Sequence, residues 1–226
     1  MTITVIIPNL NRQTALEALL LQLNDSAFFD EIIVSDGGSN DDSLNIAIAH
    51  KARLACGGAG RGQQLARGAR LARSDWLLFL HGDSVLDGPW QKSIAAHKKD
   101  FPAHAAYFKM AFDTKTPGAF WVERLVSLRA RLFALPYGDQ GLLISRKLYD
   151  EIGGYADIEL FEDVEIIQKI GRGRLKRLEA KVITDSSDYK RDGFLRRGWR
   201  NMRLLRRYFK GETVSVLSQD YHGPIK

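Results

Sequence analysis

Apolar positions along the first hundred residues come in short β-branched runs, each followed by a polar turn and then by leucines at helical spacing. ITVIIP (3–8) is a run that suits a strand buried on both faces. After it, Leu16, Leu19, Leu20 and Leu23 fall on one side of a helix over 13–23. EIIVSDGGSNDD repeats the plan, with a strand at 31–35 and a helix whose N-cap is expected at Asn40 or Asp41. ARLACGGAGRGQQLARGARLA predicts a third strand, glycine loop and helix, and DWLLFLHGD a fourth strand. Such alternation predicts an α/β fold with an open, mostly parallel sheet flanked by helices.

The second half is less regular. The pattern predicts a strand at 103–112, an amphipathic helix at 118–135, a loop PYGDQG (136–141) and a short strand LLIS. A short helix over 146–155 follows, then a helix over 160–172 with acids in its first turn, and two closing strands, LKRL and AKVIT. No repeat or Pro-rich linker separates the halves. We read one domain over 1–226: a regular first lobe (1–100), a mixed second lobe (101–189), and a basic helix with its tail (190–226).

Charge changes this picture at one place. The chain has 33 Lys and Arg against 27 Asp and Glu. The segment from Lys190 to Lys210 holds nine basic residues and one acid, Asp192, so it more than accounts for the excess. A uniformly basic nucleic-acid binder is therefore not expected. The segment forms an amphipathic helix with Leu195, Trp199, Met202, Leu205 and Phe209 on one face and Arg196, Arg200, Arg203 and Arg207 towards the other. It reads as a helix packed on the domain or as a peripheral membrane or partner contact through 191–210. The single cysteine, Cys56, excludes an internal disulfide framework. The start lacks a signal-peptide pattern and no run reaches 18 apolar residues, so the expected location is cytoplasmic, with peripheral contact at the inner face of the membrane as an option.

In open parallel sheets ligands bind beyond the carboxyl ends of the strands. Pro8–Arg12, Ser35–Asn40, Gly57–Gly62 and His81–Ser84 all belong there, which puts the carboxylates of Asp36 and Asp83 beside a glycine loop. Carboxylates so placed suit a hard divalent ion that holds phosphates. GGAGRG does not have the dinucleotide spacing and follows the third strand rather than the first. It reads as a tight loop that lets backbone approach a ligand. On residues alone, Asp36 also reads as an Asx-turn aspartate, His81 as a structural histidine, and Glu162 and Asp163 as first-turn acids complementing a helix dipole.

VIIPNLNR, IIVSDGGSNDDS, GRGQQLARGA, LLFLHGDSVL, PYGDQG and GGY followed by FEDVE occur in the order found in family 2 glycosyltransferases of the Rossmann-like GT-A fold. The chain resembles that family over about residues 3–210. It is most similar to a compact bacterial subgroup associated with radical-SAM proteins and arsenosugar biosynthesis. The resemblance implies a metal-dependent inverting transfer from a nucleotide-diphosphate sugar, UDP by default, to a hydroxyl on a small-molecule or lipid-linked acceptor. It implies Asp163 as catalytic base, with Glu162, directed elsewhere on the helix, contacting the acceptor or orienting the loop. Pro8, Asn11, Asp36, Gly37, Arg61, Gln64, His81 and Asp83 become donor-binding residues, and Asp83 the ligand of Mn²⁺ or Mg²⁺. Asp139, Gln140, Gly154 and Tyr155 would meet the sugar or acceptor. Arg12 and Ala66 depart from the family pattern, which more often has an acid and an asparagine there. Asp185 and His222 are the candidates for a third metal ligand. The alternative is a degenerate, non-catalytic binding module that docks through the basic helix.

Overall fold

The computed structural model describes residues 1–133 and 135–222. Its frame is one eight-stranded sheet. Strand β1 (Ile3–Asn9) is buried along its whole length, as a run of β-branched residues covered on both faces must be. Helix α1 (Gln13–Asp25) follows, burying the four predicted leucines, and then β2 (Glu31–Asp36) and α2 (Ser43–Ala49). The third strand shrinks to β3 (Arg53–Leu54), because the chain turns at once into the glycine loop before α3 (Arg61–Leu71). β4 (Trp76–Phe79) completes the parallel part, with β1 pairing β2 on one side and β4 on the other.

Beyond β4 the sheet is mixed. β5 (Val85–Asp87), α4 (Trp90–Asp100), β6 (Ala105–Phe112) and α5 (Pro117–Phe133) lead to a 3-10 turn at Gly138–Gln140. β7 (Leu142–Ser145), α6 (Arg146–Glu151), α7 (Glu162–Ile170) and β8 (Leu175–Thr184) follow, and α8 (Ser187–Asp192), α9 (Phe194–Phe209) and α10 (Val214–His222) close the chain. The strand order is β3-β2-β1-β4-β7-β6-β8-β5. β7 runs antiparallel between β4 and β6, and β8 is parallel to β6.

Three expectations are corrected. LKRL and AKVIT form one ten-residue strand, β8, whose register against β6 shifts between Tyr107 and Lys109. The N-cap of α2 is Asp42, while Asp41 accepts hydrogen bonds from the backbone N–H of Gln13 and Ser43. The predicted apolar face of α9 divides: Leu205 is buried with Leu204, whereas Leu195, Trp199, Met202 and Phe209 are exposed. The inner side packs on Phe161, Val164 and Leu217, so α9 lies directly behind the start of α7.

Candidate functional site

The chain leaves β1 for β2 on one side and later returns to place β4 on the other. The carboxyl ends of β1 and β4 therefore flank the point where strand order reverses, the crevice such sheets use for ligands. Pro8 and His81 stand there and line two adjoining clefts, together with Arg61. One cleft encloses about 160 Å³ and adds Asn9, Arg12, Gln64 and Asp83. The other adds Tyr137, Gly138, Tyr155 and Asp163. The crevice thus joins the loops after β1 and β4 to the start of α7.

At the first cleft the His81 imidazole Nδ1 and the Asp83 carboxylate bond each other. Burial works against ionisation of Asp83, but the hydrogen bond and charge of His81, with the charge of Arg12, hold its carboxyl below the usual range. Asp83 is therefore anionic at neutral pH. A carboxylate beside an imidazole is a mixed oxygen and nitrogen donor pair that suits Mn²⁺ and admits Mg²⁺. Among the described residues, no three His, Cys, Asp or Glu side chains gather for a metal, and His81 with Asp83 is the pair that could hold one. Asp185 does not join them; its carboxylate accepts from the N–H and hydroxyl of Ser187. The His222 side chain lies outside the described residues.

The second cleft is organised by Arg61. Its guanidinium ion-pairs with Glu162, and its Nη2 donates to Asp163 Oδ2 at 2.9 Å. Asp163 Oδ2 also accepts the Gly138 N–H at 2.7 Å, and its Oδ1 accepts the Val164 N–H at 2.7 Å. This corrects the expectation that Glu162 turns away from Asp163. Phe161, in the left-handed region at φ 66°, swings the chain into α7 so that both acids meet one arginine. Arg61, expected among the donor-binding residues, is here engaged by the two carboxylates. Burial, and then the charge of Asp163, raise the Glu162 carboxyl, while Arg61 opposes them. Asp139 is raised by burial too, eased by Arg129, and its Oδ1 has no hydrogen-bond partner.

The remaining predicted ligands brace the loops. Asp36 is buried and accepts from Gly38 N (2.8 Å), Ser39 N (2.7 Å), Ser39 Oγ (2.6 Å) and Asn9 Nδ2 (3.0 Å). Burial disfavours its charge, yet these bonds hold its carboxyl low. Its Asx-turn role is the one the geometry displays. Gln64 Nε2 donates to the carbonyls of Asn9 and Ser35, latching the ends of β1 and β2. A Cβ on Gly37 would come within 3.0 Å of that Gln64 nitrogen. Asn11 accepts from Asn40 N and donates its own N–H to Ser39 Oγ, tying the first two loops together. Gln140 bridges Tyr137 N and the Phe108 carbonyl through its amide. Gly154 turns at φ 63° beneath the Tyr149 ring, and the Tyr155 ring packs edge-on against Phe79. Arg12, Arg129 and Gly138 carried no predicted ligand role; the departure at Arg12 and the PYGDQG motif around Gly138 gave signals, and Arg129, over the Tyr137 ring, gave none.

A family model described as glycosyl transferase family 2 matches residues 4–157. A search of curated protein sequences finds no match. Among solved structures, the chain is similar to S. aureus TarS 1–349 in complex with UDP-GlcNAc, at 17% identity and TM-score 0.62 over 82% of this chain and 58% of that one. It is also similar to glucosyl-3-phosphoglycerate synthase from Mycobacterium tuberculosis, solved with Mn²⁺, UDP and glucosyl-3-phosphoglycerate. That match has 22% identity and TM-score 0.55, and covers 81% of this chain and 70% of the other. The sheet and its flanking helices are those of the GT-A glycosyltransferases. The chain thus spans little more than half of the TarS fragment it matches.

Proposed function

Because the chain belongs to glycosyl transferase family 2, we propose that it transfers a sugar, with inversion, from a nucleotide-diphosphate sugar to an acceptor hydroxyl in a metal-dependent reaction. The observation that carries this reading is the shared crevice. The His81–Asp83 pair and Asp163 line adjoining clefts at the switch point of the sheet, joined through Pro8, Arg61 and His81. UDP is the default nucleotide, since the similar structures hold UDP or UDP-GlcNAc. The acceptor is a small-molecule or lipid-linked hydroxyl. A cytoplasmic setting agrees with the free, exposed Cys56 thiol; the radical-SAM and arsenosugar association of the resembling subgroup rests on no residue of the crevice.

His81 and Asp83 would hold Mn²⁺ or Mg²⁺, which when bound neutralises charge on the departing diphosphate. Arg12, close enough to Asp83 to lower its carboxyl, adds positive charge at the same cleft. Asp163 is the base. Three donors fix its carboxylate: Arg61, the Gly138 N–H and the Val164 N–H. So oriented, it accepts the proton of the acceptor hydroxyl as that oxygen attacks the sugar carbon. Arg61 and Glu162 act as positioning residues, setting the charge around Asp163.

Isothermal titration with UDP, with and without Mn²⁺, tests donor binding, and product formation from a panel of UDP-sugars tests transfer. Asp163→Asn is expected to lower transfer at least about a hundredfold while leaving UDP affinity within about twofold. Asp83→Ala should remove the Mn²⁺-dependent part of UDP binding. Wild-type turnover in Asp163→Asn would refute the base assignment. One observation favours a second reading, a module that binds without transferring: Arg61 already engages both acids. Metal-dependent UDP binding with no turnover on any donor would select it.

A further inference from the structure

Two helices of the second lobe leave large apolar side chains in solvent. On α5, Trp121 (58% exposed), Leu125 and Leu128 repeat at i, i+4 and i+7; on α9, Leu195 (60%), Trp199 (72%) and Met202 do the same. A helical stripe with this spacing is ordinarily the side that packs. Both helices already have a separate packed side. On α5 it is Ala119, Val122 and Val126, and on α9 it is Leu204 and Leu205.

The two stripes share one face. A Cβ on Gly118 would lie 3.1 Å from Phe194, and one on Gly198 would lie 3.9 Å from Val122. The contact moves four residues along both helices in the same direction, so α5 and α9 lie side by side and parallel. Each residue advances about 100° around a helix. Relative to the seam at Val122, Trp121 and Leu125 turn to one side of the helix pair. Relative to the seam at Gly198, Leu195 and Trp199 turn to that same side. Leu128 and Met202 extend the two stripes, giving six large apolar residues in one patch.

Asp188 and Asp192, on α8 just before α9, are paired with Arg191 and Arg197, and the charges flanking the patch along the two helices are arginines. Arg124 and Arg131 lie on the outer flank of α5, and Arg203 and Arg206 beside Met202 on α9, all exposed. α9 has no acid between Phe194 and Phe209. The one acid of α5, Glu123, turns inward and accepts the Phe112 N–H at 2.8 Å. Tryptophans and leucines rimmed by arginine complement an anionic bilayer, where the rings enter the headgroup region and the guanidinium groups meet phosphates. Among the described residues no helix is long and apolar enough to cross a membrane, which leaves contact in the interfacial plane.

We propose that α5 and α9 together form the surface by which this protein docks on anionic membrane lipid. The opposite side of α9 packs on Phe161 and Val164, the residues flanking Glu162 and Asp163. Docking would therefore hold the acid pair about one helix diameter, roughly 10 Å, above the headgroups. An acceptor hydroxyl on a lipid would then arrive at the crevice from the membrane side.

The test uses the full chain and needs no sugar donor, so its failure leaves the transferase reading untouched. Vesicles of phosphatidylcholine, with or without roughly one third phosphatidylglycerol, are sedimented with wild type, with Trp121→Gln/Trp199→Gln and with Arg203→Glu/Arg206→Glu. Wild type is expected to partition onto the anionic vesicles and to be released by salt. Its tryptophan fluorescence should be quenched by brominated acyl chains. Each double variant should lose at least about tenfold in partition while keeping the wild-type melting curve. Wild type remaining in the supernatant would overturn the proposal, as would tryptophan variants that bind like wild type. Reversible dimerisation abolished by the tryptophan substitutions, without vesicle binding, would also overturn it by assigning the face to a second copy.

Discussion

Arg61→Ala removes a cation that pairs with both acids of the crevice. In the native protein the guanidinium pairs with Glu162, whose side chain is 3% exposed, and with Asp163. Deleting one partner of a buried ion pair costs about 3–5 kcal/mol, because the remaining charge is left without compensation. The Arg61 side chain is itself 36% exposed, so water screens part of the interaction. About 2–3 kcal/mol is the discounted figure at about pH 8, worth roughly 4–12 °C in Tm for a chain of this size. The loss should also depend on pH, with a definite sign. Burial and Asp163 already raise the Glu162 carboxyl above its ordinary 4.5. A raised carboxyl keeps its proton longer in the folded protein than in the unfolded chain. Its ionisation therefore lowers stability as pH rises from the unfolded value through the folded one. Without Arg61 the folded value rises further and that window widens upward. Urea unfolding of both proteins at about pH 5 and about pH 8 should show a loss smaller by at least about 1 kcal/mol at the lower pH. Adding Glu162→Gln to Arg61→Ala should flatten the difference. Equal losses at the two pH values, or a pH dependence that survives Glu162→Gln, would refute the reasoning.

Two further substitutions separate bracing from ligand binding. Asp36→Ala deletes four hydrogen bonds to a buried carboxylate and should cost about 2–3 kcal/mol without any nucleotide, read by thermal melting; an unchanged melt with weakened UDP binding would return Asp36 to the donor-binding role. Its low carboxyl stabilises the fold above the unfolded value of 3.8, a contribution lost as pH falls through the folded value. Gly154→Ala places a Cβ 2.7 Å from the Tyr149 ring at φ 63°, and about 1–3 kcal/mol of destabilisation should appear in the same melt with UDP affinity unchanged in the folded fraction.

The parallel half was legible because its signals are local. β1 is a run of buried residues, and Leu16, Leu19, Leu20 and Leu23 fill the facing helix at the predicted spacing. The mixed half depends on pairings between distant segments. β5 has three residues and pairs with β8 near Val182, so its short sequence carries little period of its own. β7 inserts between β4 and β6 although β6 precedes it in the chain, an arrangement no local pattern encodes. The site divides in the same way. HGD sits within three residues, and its His81–Asp83 contact follows from that proximity. The link from Arg61 to Glu162 and Asp163 spans a hundred residues and depends on the left-handed turn at Phe161.

That division also explains which motif residues became struts. Loops at the carboxyl edge of a parallel sheet carry backbone groups that the strands no longer pair, and burying them unpaired is costly. Asp36 takes the N–H groups of Gly38 and Ser39, Gln64 the carbonyls of Asn9 and Ser35, and Gln140 the N–H of Tyr137 and the carbonyl of Phe108. Each side chain has a polar type that a ligand site would also use, so sequence alone cannot separate the two roles. Geometry separates them by asking whether the polar atoms point inward to backbone or outward to the crevice. By that criterion His81, Asp83 and Arg12 belong to the open clefts and Asp36 and Gln140 to the loops, while Gln64 and Asp163 do both, lining a cleft and bonding loop backbone. A chemistry of phosphate, metal and proton transfer needs groups of the first kind. The second kind fixes where those groups stand.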